Sequence, residues 1–459
     1  MSWSVLEALL SRPEDVRRML RARGYSTDLV DEFLRVDREW KELKRRVEEL
    51  RHEHNVITRN IRQVKSEEER KLLIEKARSI IQELESLEAK LKDLENLRNN
   101  ILRRFPNLIK EEVYQICPED AEEVPLRYWG RPRVYKEDLE KFLMEVRKFG
   151  HEVEYEVIDW KPIGHADMLE HVLKLGDTEK AGEVAGSRFF YIFDDIVWLD
   201  LALALYALDY LSQKGFRIVI PPYMLKHEYM TSVIDFDALK DAIYKIEGED
   251  LYLIGTSEHP LACYLAKREL LEQDLPILFA GFSPCFRREA SAGSRDLKGI
   301  FRVHQFHKVE QFVFCLPEES DKWQEFLINN AEELWRGLEI PYRVVLVCPK
   351  EMGRTAAKQY DLEAWMPAQA TFREMVSCSN CTDWQSYRLH IRVVRRGMKR
   401  EYVHTLNSTA IATTRAITAI LENHQEPDGV VKIPKVLRKY LEAFPQAPKD
   451  YIVPKNVKR

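Results

Sequence analysis

The sequence predicts an α+β fold, in which a long helical hairpin precedes a larger domain built on an antiparallel β-sheet. Two observations support this prediction. Apolar residues recur at heptad spacing between Trp40 and Leu94, and short β-rich segments intermingle with helical ones further along the chain. The β-rich segments are VEYEVI, RIVIPP, LYLIG, ILFAGF, FRVHQFHKVEQFVF, YRVVLV and YVHTL. Long helices separate only some of these segments, which favours an antiparallel sheet.

The helical hairpin is predicted from two apolar seams whose members step by three and four residues. The seams are Trp40, Leu43, Val47, Leu50, His54, Ile57, Ile61 and Val64, and then Leu73, Ala77, Ile80, Leu84, Leu87, Leu91 and Leu94. Between them, Ser66 and three glutamates make a good helix N-cap and first turn. Neither half contains proline or glycine, so we expect an antiparallel coiled coil with limbs of about 40 Å.

The pattern alone leaves the role of this arm open. It fits a dimerisation or spacer coiled coil, and it also fits an arm that touches RNA. The second interpretation is supported by basic residues around the distal half, because such side chains contact phosphates without reading sequence. These residues are Arg51, Arg59, Arg62, Lys65, Arg70, Lys71, Lys76 and Arg78.

Composition and charge limit the class of protein. The 459 residues have a net charge of −5, but residues 37–104 carry 18 basic and 15 acidic side chains, or +3, which leaves −8 elsewhere. No apolar run is long enough for a membrane span, and the N-terminal segment does not resemble a secretory signal. Seven cysteines at irregular spacing favour a reducing cytoplasm over a disulfide framework.

One predicted strand pair carries charged and aromatic side chains that are costly to bury. On strand periodicity, Arg302, His304, Phe306, Lys308 and Glu310 share one face, and Arg287 and Glu289 share a face of the preceding strand. Two arginines, an aromatic ring and carboxylates on one surface fit a ligand with phosphates and a flat ring.

These segments resemble motif 2 of class II aminoacyl-tRNA synthetases, in the form typical of seryl-tRNA synthetases. The resemblance extends to motif 1 in LALALYALDYLSQKGF and RIVIPP, with Pro221, and to motif 3 in TLNSTAIATTR. The segments TSE at 256–258 and FREMVSCS at 372–379 also have counterparts in that family. The resemblance, arm included, covers essentially the whole chain.

The resemblance implies a domain layout. Residues 1–115 would form a tRNA-binding domain with its arm at about 37–104, and residues 116–459 the catalytic domain. Motif 1 would span about 200–222, motif 2 about 284–314 and motif 3 about 405–424.

The resemblance also implies an ATP site. Arg287 would bind the α-phosphate and Arg302 the outer phosphates, while Phe306 and Arg415 would stack on the adenine. Arg287, Arg302 and Arg415 are therefore the candidate catalytic residues. The full implied ATP-binding set is Arg287, Arg288, Glu289, Arg302, Val303, Phe306, Glu374, Met375, Val376, Ser377 and Arg415.

A serine pocket and a Mg²⁺ site are implied next to the ATP site. Glu374 and Ser377 would hold Mg²⁺, with Asp361 and Glu363 supporting them from a neighbouring position. The implied serine-binding set is Thr256, Ser257, Glu258, Arg287, Glu310, Asn407 and Thr409. Such residue types suit phosphoryl transfer, which needs alignment and charge neutralisation more than a protein nucleophile.

The implied partners are L-serine, ATP, tRNA(Ser), tRNA(Sec) where the organism has it, and a second copy of the chain that pairs through motif 1. The implied activity is that of a cytoplasmic serine–tRNA ligase. We expect no zinc, because the CxxC at Cys378 and Cys381 lacks a second ligand pair and His304 and His307 would point to opposite faces.

Three features depart from the family pattern: Thr414 where many relatives have proline, His259, and the stretch Asn380-Cys381-Thr382. None of them removes a group assigned to catalysis.

Three competing hypotheses remain. A synthetase for proline or threonine usually carries a further C-terminal anticodon-binding domain, and a ligase that charges a carrier protein generally lacks the arm. A catalytically silent RNA-binding or scaffold paralogue would lose the motif arginines, yet Arg287, Arg302 and Arg415 are present.

Overall fold

The computed structural model describes residues 4–289, 296 and 298–454. The chain divides into two compact units, one that ends at Leu108 and one that begins at Ile109. Among the described residues, no helix combines the length and the apolar content that crossing a membrane requires.

The N-terminal unit is helical. Its helices are α1 (Ser4–Ser11), α2 (Pro13–Ala22), α3 (Asp28–Gln63) and α4 (Glu67–Arg103). The predicted hairpin is confirmed: α3 and α4 pack along their seams, and every seam residue is buried or half-buried. The limbs are longer than the seams, since the 36 residues of α3 span about 54 Å at the usual helical rise.

The turn between α3 and α4 is capped as the sequence predicts. Ser66 is the N-cap of α4, and its hydroxyl accepts a hydrogen bond from the backbone N–H of Glu69 at 3.5 Å. Glu67, Glu68 and Glu69 occupy the first turn, where negative charge complements the helix dipole.

The C-terminal unit contains the remaining helices and all the strands of the described chain. The helices are α5 (Glu111–Ile116), α6 (Leu139–Arg147), α7 (His165–Asp167), α8 (Thr178–Ala185), α9 (Asp195–Gln213), α10 (His227–Val233), α11 (Phe236–Leu239), α12 (Glu258–Cys263), α13 (Ser320–Gly337), α14 (Trp384–Leu389), α15 (Thr413–Asn423) and α16 (Lys435–Leu441). The strands are β1 (Glu123–Trp129), β2 (Arg133–Tyr135), β3 (Glu156–Ile158), β4 (Gly176–Asp177), β5 (Tyr191–Ile192), β6 (Arg217–Val219), β7 (Met224–Leu225), β8 (Tyr252–Leu253), β9 (Glu269–Leu271), β10 (Ile277–Phe286), β11 (Gln305–Cys315), β12 (Tyr342–Val347), β13 (Lys358–Met366), β14 (Thr371–Thr382), β15 (Arg392–Val394), β16 (Arg400–Tyr402), β17 (His404–Ala412), β18 (Val431–Lys432) and β19 (Tyr451–Ile452).

A large mixed sheet organises this unit, and its strand order is β1-β12-β13-β14-β17-β11-β10-β6. Each neighbouring pair is antiparallel except β10 and β6, which are parallel. The predicted antiparallel α+β fold is therefore confirmed. The apolar helix α9 and the amphipathic helices α13 and α15 cover one face of the sheet and enclose the main hydrophobic core.

The strand pair β10–β11 is shorter than the sequence pattern predicts. We expected Arg287 and Glu289 to lie on one strand, and Arg302 and His304 on the other, but β10 ends at Phe286 and β11 begins at Gln305. The ladder continues only through the bond from the Arg287 N–H to the His304 carbonyl, at 2.9 Å. Beyond it the backbone turns, and Glu289 has φ of +48°, which no extended strand accommodates.

The sequence favoured a reducing cytoplasm over a disulfide framework, yet one pair of cysteines is disulfide-bonded. Cys117, just after α5, is bonded to Cys348, just after β12, across a sequence separation of 231 residues. Their spacing gives no signal in the sequence, because only the folded sheet brings α5 beside the end of β12. The other five cysteines are free.

Candidate active-site cleft

The sheet face opposite α9, α13 and α15 bears a cleft of about 350 Å³. Strands β11, β13, β14 and β17 form its floor, and the start of α12, the loop after β12 and the start of α15 form its sides. The lining residues are Thr256, Glu258, Arg287, Phe306, Lys308, Glu310, Glu351, Gly353, Thr355, Gln359, Glu374, Met375, Ser377, Ser379, Asn407, Thr409, Ala412 and Arg415.

A β-bulge in β14 explains why Glu374 and Ser377 both line the cleft. Residues three apart on a regular strand point to opposite faces. Here the register shifts, so that Glu374 pairs with Glu363 and Val376 pairs with Leu362, which leaves Met375 as an extra residue. Because of this extra residue, the carboxylate of Glu374 and the hydroxyl of Ser377 point to the same side of β14.

A second bulge acts in the same way on β17. Thr409 pairs with Glu310 and Ile411 pairs with Val309, so Ala410 is the extra residue. The bulge lies just before α15, which begins at Thr413 and carries Arg415 in its first turn. Thr409 and Ala412, three residues apart on β17, therefore both line the cleft, and Arg415 lines it from the adjoining helix.

One end of the cleft combines a ring with guanidinium groups. The Arg287 guanidinium lies 5.2 Å from the Phe306 ring centre, and Arg287 Nε donates to the Gly255 carbonyl at 3.3 Å. Arg415 Nη1 is 3.2 Å from Glu374 Oε1, and the Arg415 guanidinium lies over the buried ring of Phe301 at 5.1 Å. Cations beside an aromatic face suit a flat ring that carries phosphates.

The other end of the cleft holds buried polar groups of β11 and β17. Lys308 Nζ donates to Glu310 Oε2 at 2.7 Å, and Thr409 Oγ1 donates to the same oxygen at 3.3 Å. Asn407 also lines this end, and its amide nitrogen donates to Cys381 Sγ at 3.6 Å. A small polar ligand would meet both charge and hydrogen-bonding groups here.

The segment TSE at 256–258 approaches this end because β10 has a glycine there. A Cβ on Gly281 would lie only 2.7 Å from Ser257 Oγ, so glycine permits the close contact. The Ser257 hydroxyl donates to the Gly281 carbonyl at 3.2 Å and is fully buried. The structure thus uses Ser257 as an anchor outside the cleft lining, whereas Thr256 and Glu258 line the cleft.

Burial and charge shift several ionisation constants around the cleft. Burial, with the neighbouring Glu310, raises the pKa of Glu258 to about 7, and Gln385 Nε2 donates to Glu258 Oε1 at 2.9 Å. Burial lowers the pKa of His259 to about 3, so this imidazole is neutral near pH 7. Burial opposes ionisation of Glu374, but Arg415 and Arg287 outweigh it and lower the pKa of Glu374 below its usual value.

Five residues of the implied ATP set lie outside the cleft lining, namely Arg288, Glu289, Arg302, Val303 and Val376. Arg302 Nε donates to Asp296 Oδ2 at 2.9 Å, and Arg302 Nη1 lies 3.8 Å from Glu289 Oε2. Arg288 is exposed, and Val303 is buried in the main core. The segment at 290–295 and residue 297, which belong to the same predicted motif, lie outside the described residues.

The support expected from Asp361 and Glu363 is divided between two places. Gln359 Nε2 donates to Asp361 Oδ1 at 3.0 Å, and Asp361 lies opposite Ser377 in the strand register. Burial, with the nearby Glu374, raises the pKa of Asp361 well above its usual value. Glu363 instead accepts a hydrogen bond from Arg343 Nε at 2.6 Å, away from the cleft lining. Val376, which belongs to the implied ATP set, points into the main core and not into the cleft.

The donor atoms at Glu374 and Ser377 fit Mg²⁺. They are hard oxygens on the same side of β14, and magnesium sites often use one or two protein oxygens with substrate phosphates completing the shell. Among the described residues, no group of three or more His, Cys, Asp or Glu side chains is arranged to hold a metal by itself. Cys378 and Cys381, the CxxC pair, are both buried, and Cys378 Sγ donates to the Gln324 carbonyl at 3.8 Å.

Sequence reasoning missed several lining residues, namely Lys308 as a site residue, Glu351, Gly353, Thr355, Gln359, Ser379 and Ala412. Strand alternation from Ser377 and Glu310 could have found Ser379 and Lys308. The residues of the loop after β12 carry no comparable signal, because their position depends on the packing of that loop.

The predicted basic residues of the arm are all exposed. Arg51 Nη2 is 2.8 Å from Glu88 Oε1, and Lys76 Nζ is 2.8 Å from Glu53 Oε1. Among the described residues, the other six have no acidic side chain within ion-pair distance. These six, Arg59, Arg62, Lys65, Arg70, Lys71 and Arg78, are called the arm-tip cations below.

Comparisons with known proteins agree with this architecture. Residues 6–109 match the family model for the seryl-tRNA synthetase N-terminal domain, and residues 243–424 match that for the class II tRNA synthetase core domain of the G, H, P, S and T enzymes. A serine–tRNA ligase of Hyperthermus butylicus is 62% identical over 455 residues, which are 99% of each chain. The chain belongs to the seryl-tRNA synthetase family.

Solved structures of the family have the same fold. The seryl-tRNA synthetase of Pyrococcus horikoshii, solved in complex with ATP, aligns with a TM-score of 0.92 at 49% identity over 99% of both chains. The cytoplasmic serine–tRNA ligase of Naegleria fowleri, solved with AMP, aligns with a TM-score of 0.81 at 32% identity over 97% of this chain and 96% of that one. A prolyl-tRNA synthetase of Giardia lamblia, at 14% identity and a TM-score of 0.53, shares the fold over 60% of this chain and 55% of that one.

Proposed function

We propose that this chain activates L-serine with ATP to give seryl-adenylate and pyrophosphate, and then transfers the seryl group to the 3′ end of tRNA(Ser). The observation that carries the proposal is the convergence of Arg287, Glu310, Glu374 and Arg415 on one cleft in a member of the seryl-tRNA synthetase family. The charges at the two ends of this cleft suit the two substrates.

The nucleotide belongs at the end that contains Phe306, Arg287 and Arg415. The Phe306 ring and the Arg415 guanidinium would hold the adenine, and Arg287 would bind the α-phosphate. Arg302 would bind the outer phosphates in exchange for its present partner Asp296, since a phosphate is a stronger acceptor for guanidinium groups. Mg²⁺ at Glu374 and Ser377 would supply further neutralisation of phosphate charge.

Serine belongs at the end that contains Glu310. The Glu310 carboxylate would pair with the ammonium of serine, while Thr256, Glu258, Asn407 and Thr409 offer partners for its hydroxyl. A pocket of buried polar groups disfavours alanine, because alanine leaves those groups without a partner. The raised pKa of Glu258 allows this carboxyl group to donate or to accept near pH 7.

The arm belongs to tRNA binding. The arm-tip cations lack acidic partners among the described residues and are exposed, as contacts to RNA phosphates require. Recognition of a structured RNA by shape and backbone fits such an arm. We extend the proposal to tRNA(Sec) where the organism has it, and to a cytoplasmic location.

A homodimer through motif 1 is part of the proposal. Helix α9 exposes Val197, Leu201 and Leu205, which lie four residues apart on one helix face. The neighbouring strand β6 is an edge of the large sheet; its Ile218 is 47% exposed, and Ile220, just after it, is 68% exposed. An apolar helix face beside an open sheet edge suits a symmetric contact with a second copy.

Serine-dependent exchange of pyrophosphate with ATP tests the proposal. We expect exchange with serine, and much less with alanine or threonine at the same concentration. Charging of a tRNA(Ser) transcript should follow, and charging of a tRNA(Pro) transcript should not. A folded protein without serine-dependent exchange would instead identify a catalytically silent paralogue.

A further inference from the structure

Lys308 is a buried cation on β11 between Phe306 and Glu310 in the sequence, and the proposal above gives it no role. Lysine is almost never buried unless it is paired, and the Lys308 side chain is 7% exposed with Nζ 2.7 Å from Glu310 Oε2. This pairing uses one of the three N–H groups of the ammonium. The others can donate to an anion inside the cleft.

The position of Lys308 on β11 indicates which anion it meets. Phe306, Lys308 and Glu310 all line the cleft, and alternate residues on a strand face lie about 7 Å apart. Phe306 lies at the proposed nucleotide end and Glu310 at the proposed serine end. The carboxylate of serine and the α-phosphate of ATP must therefore meet between these two residues, beside Lys308.

Charges around Lys308 reinforce this placement. Besides Glu310, the Lys308 ammonium affects the carboxyl group of Glu258. The ammonium lowers the pKa of Glu258, although burial and Glu310 raise that pKa by more. Arg287 is a second cation that lines the cleft and acts on Glu258. Two negative groups that react with each other need more than one nearby cation, because their mutual repulsion opposes the approach.

We propose that Lys308 is a catalytic residue that binds the reacting serine carboxylate and α-phosphate. In the step concerned, a serine carboxylate oxygen forms a bond to the α-phosphorus. The bond from that phosphorus to the bridging oxygen of pyrophosphate breaks, and pyrophosphate leaves with the electron pair. No proton is transferred. This inference rests on the proposed activation of serine.

The test compares Lys308→Met with Lys358→Met in serine-dependent pyrophosphate exchange. Lys358 is a matched control: it lies on β13 of the same sheet, its side chain is 8% exposed, and its Nζ is 2.8 Å from Glu112 Oε1, yet it does not line the cleft. Loss of one charge-stabilising donor costs about 100-fold or more in kcat. We expect such a loss in Lys308→Met, with the KM for ATP changed less than about threefold, and near wild-type kcat in Lys358→Met.

A second variant and a binding measurement separate catalysis from structure. Lys308→Arg keeps the cation and should retain a kcat at least tenfold above that of Lys308→Met. Binding of adenosine should be equal in wild type and Lys308→Met, whereas a non-reactive seryl-adenylate mimic should bind the variant more weakly. If Lys308→Met lowers only the unfolding temperature, or raises only the KM for serine at unchanged kcat, Lys308 is a structural counter-ion and the inference is wrong. If wild type shows no serine-dependent exchange, the proposed function itself fails.

Discussion

Arg415 joins the first turn of α15 to the bulge of β14: its Nη1 donates to the Glu374 carbonyl at 2.9 Å and lies 3.2 Å from Glu374 Oε1. The carboxylate is thereby held ionised beside the hydroxyl of Ser377. The Glu374 side chain is still 44% exposed, so a ligand can reach it. Glu374 and Ser377 form the proposed Mg²⁺ site, next to the Arg415 guanidinium that we propose for nucleotide binding.

Replacing Glu374 by Gln should weaken Mg²⁺ binding at this site. The substitution keeps the shape but removes the charge, and metal sites that lose such a ligand or its support lose about 10- to 100-fold in metal affinity. We expect the Mg²⁺ concentration for half-maximal pyrophosphate exchange to rise at least tenfold. Glu442→Gln, an exposed residue just after α16, serves as control. An unchanged Mg²⁺ dependence in Glu374→Gln would remove Glu374 from the proposed site.

The arm-tip cations provide a second prediction. Replacing Arg59, Arg62 and Arg70 by Gln should raise the KM for tRNA at least tenfold at about 0.15 M salt and leave serine-dependent pyrophosphate exchange unchanged. Each lost phosphate contact also lowers the slope of log K against log salt by roughly 0.7 to 0.9. The measurement is tRNA charging at several salt concentrations.

A charge-matched control for the arm exists within the same helices. Arg45, Lys90 and Lys92 are exposed, lie away from the turn at Ser66, and carry the same total charge. Their triple replacement by Gln should change the KM for tRNA less than threefold. Equal effects of the two triple variants would indicate general electrostatic attraction, and no effect of either would favour a spacer role.

Much of this architecture could be predicted because its signals are local. The seams of α3 and α4 depend on heptad spacing, and the cap at Ser66 depends on four consecutive residues. The ends of β10 and β11 could not be predicted. The alternation of side-chain types in the sequence includes Arg302 and His304, although β11 begins only at Gln305. The disulfide between Cys117 and Cys348 depends on contacts across 231 residues, which no local pattern records.

The site shows the same division. The motif residues Arg287, Glu310, Glu374 and Arg415 were identified by resemblance, and the structure brings them to one cleft. The reason that Glu374 and Ser377 face the same side is the extra residue Met375, and bulges follow from pairing with a distant strand rather than from local sequence.

The disulfide leads to a prediction about stability. In the chain-entropy account, a bond across 231 residues stabilises the fold by about 5 kcal/mol, an upper value because denatured chains retain structure. We expect the unfolding temperature of the oxidised protein to fall on addition of a reductant and to equal that of the Cys117→Ser, Cys348→Ser double variant. Cys263→Ser, which alters a free cysteine, should keep the full response to reductant. Equal unfolding temperatures for the oxidised and reduced wild type would contradict the prediction.

The His307–Asp200 pair predicts a dependence of stability on pH. His307 Nδ1 donates to Asp200 Oδ2 at 2.8 Å, and this bond raises the pKa of His307 above its usual value against the effect of burial. A raised folded-state pKa gives stability that is fully present below the unfolded value of about 6.5 and is lost as pH rises through the folded value. Because His307 is partly exposed, we expect a contribution of about 1 kcal/mol or less.

His307→Gln therefore should lower the unfolding temperature more at pH 5.5 than at pH 9. His171→Gln is the control. This exposed imidazole lies 3.8 Å from an exposed carboxylate, so its replacement should change the unfolding temperature little at either pH. A loss of stability that is equal at both pH values would mean that packing of the imidazole against α9, and not charge, accounts for the effect.

The exposed apolar face of α9 yields the prediction for assembly. Leu201 and Leu205 are 43% and 45% exposed, and a two-fold symmetric contact would contain each of them twice. Leu201→Asp would thus place two unpaired carboxylates in the interface, each with a desolvation cost of several kcal/mol. We expect sedimentation to show a dimer for wild type and a monomer for Leu201→Asp at the same micromolar concentration. Val184→Asp alters an apolar residue of α8 that is 64% exposed and lies outside this face, so it should leave the dimer intact. A wild-type monomer, or a dimer that survives Leu201→Asp, would show that α9 does not form the contact.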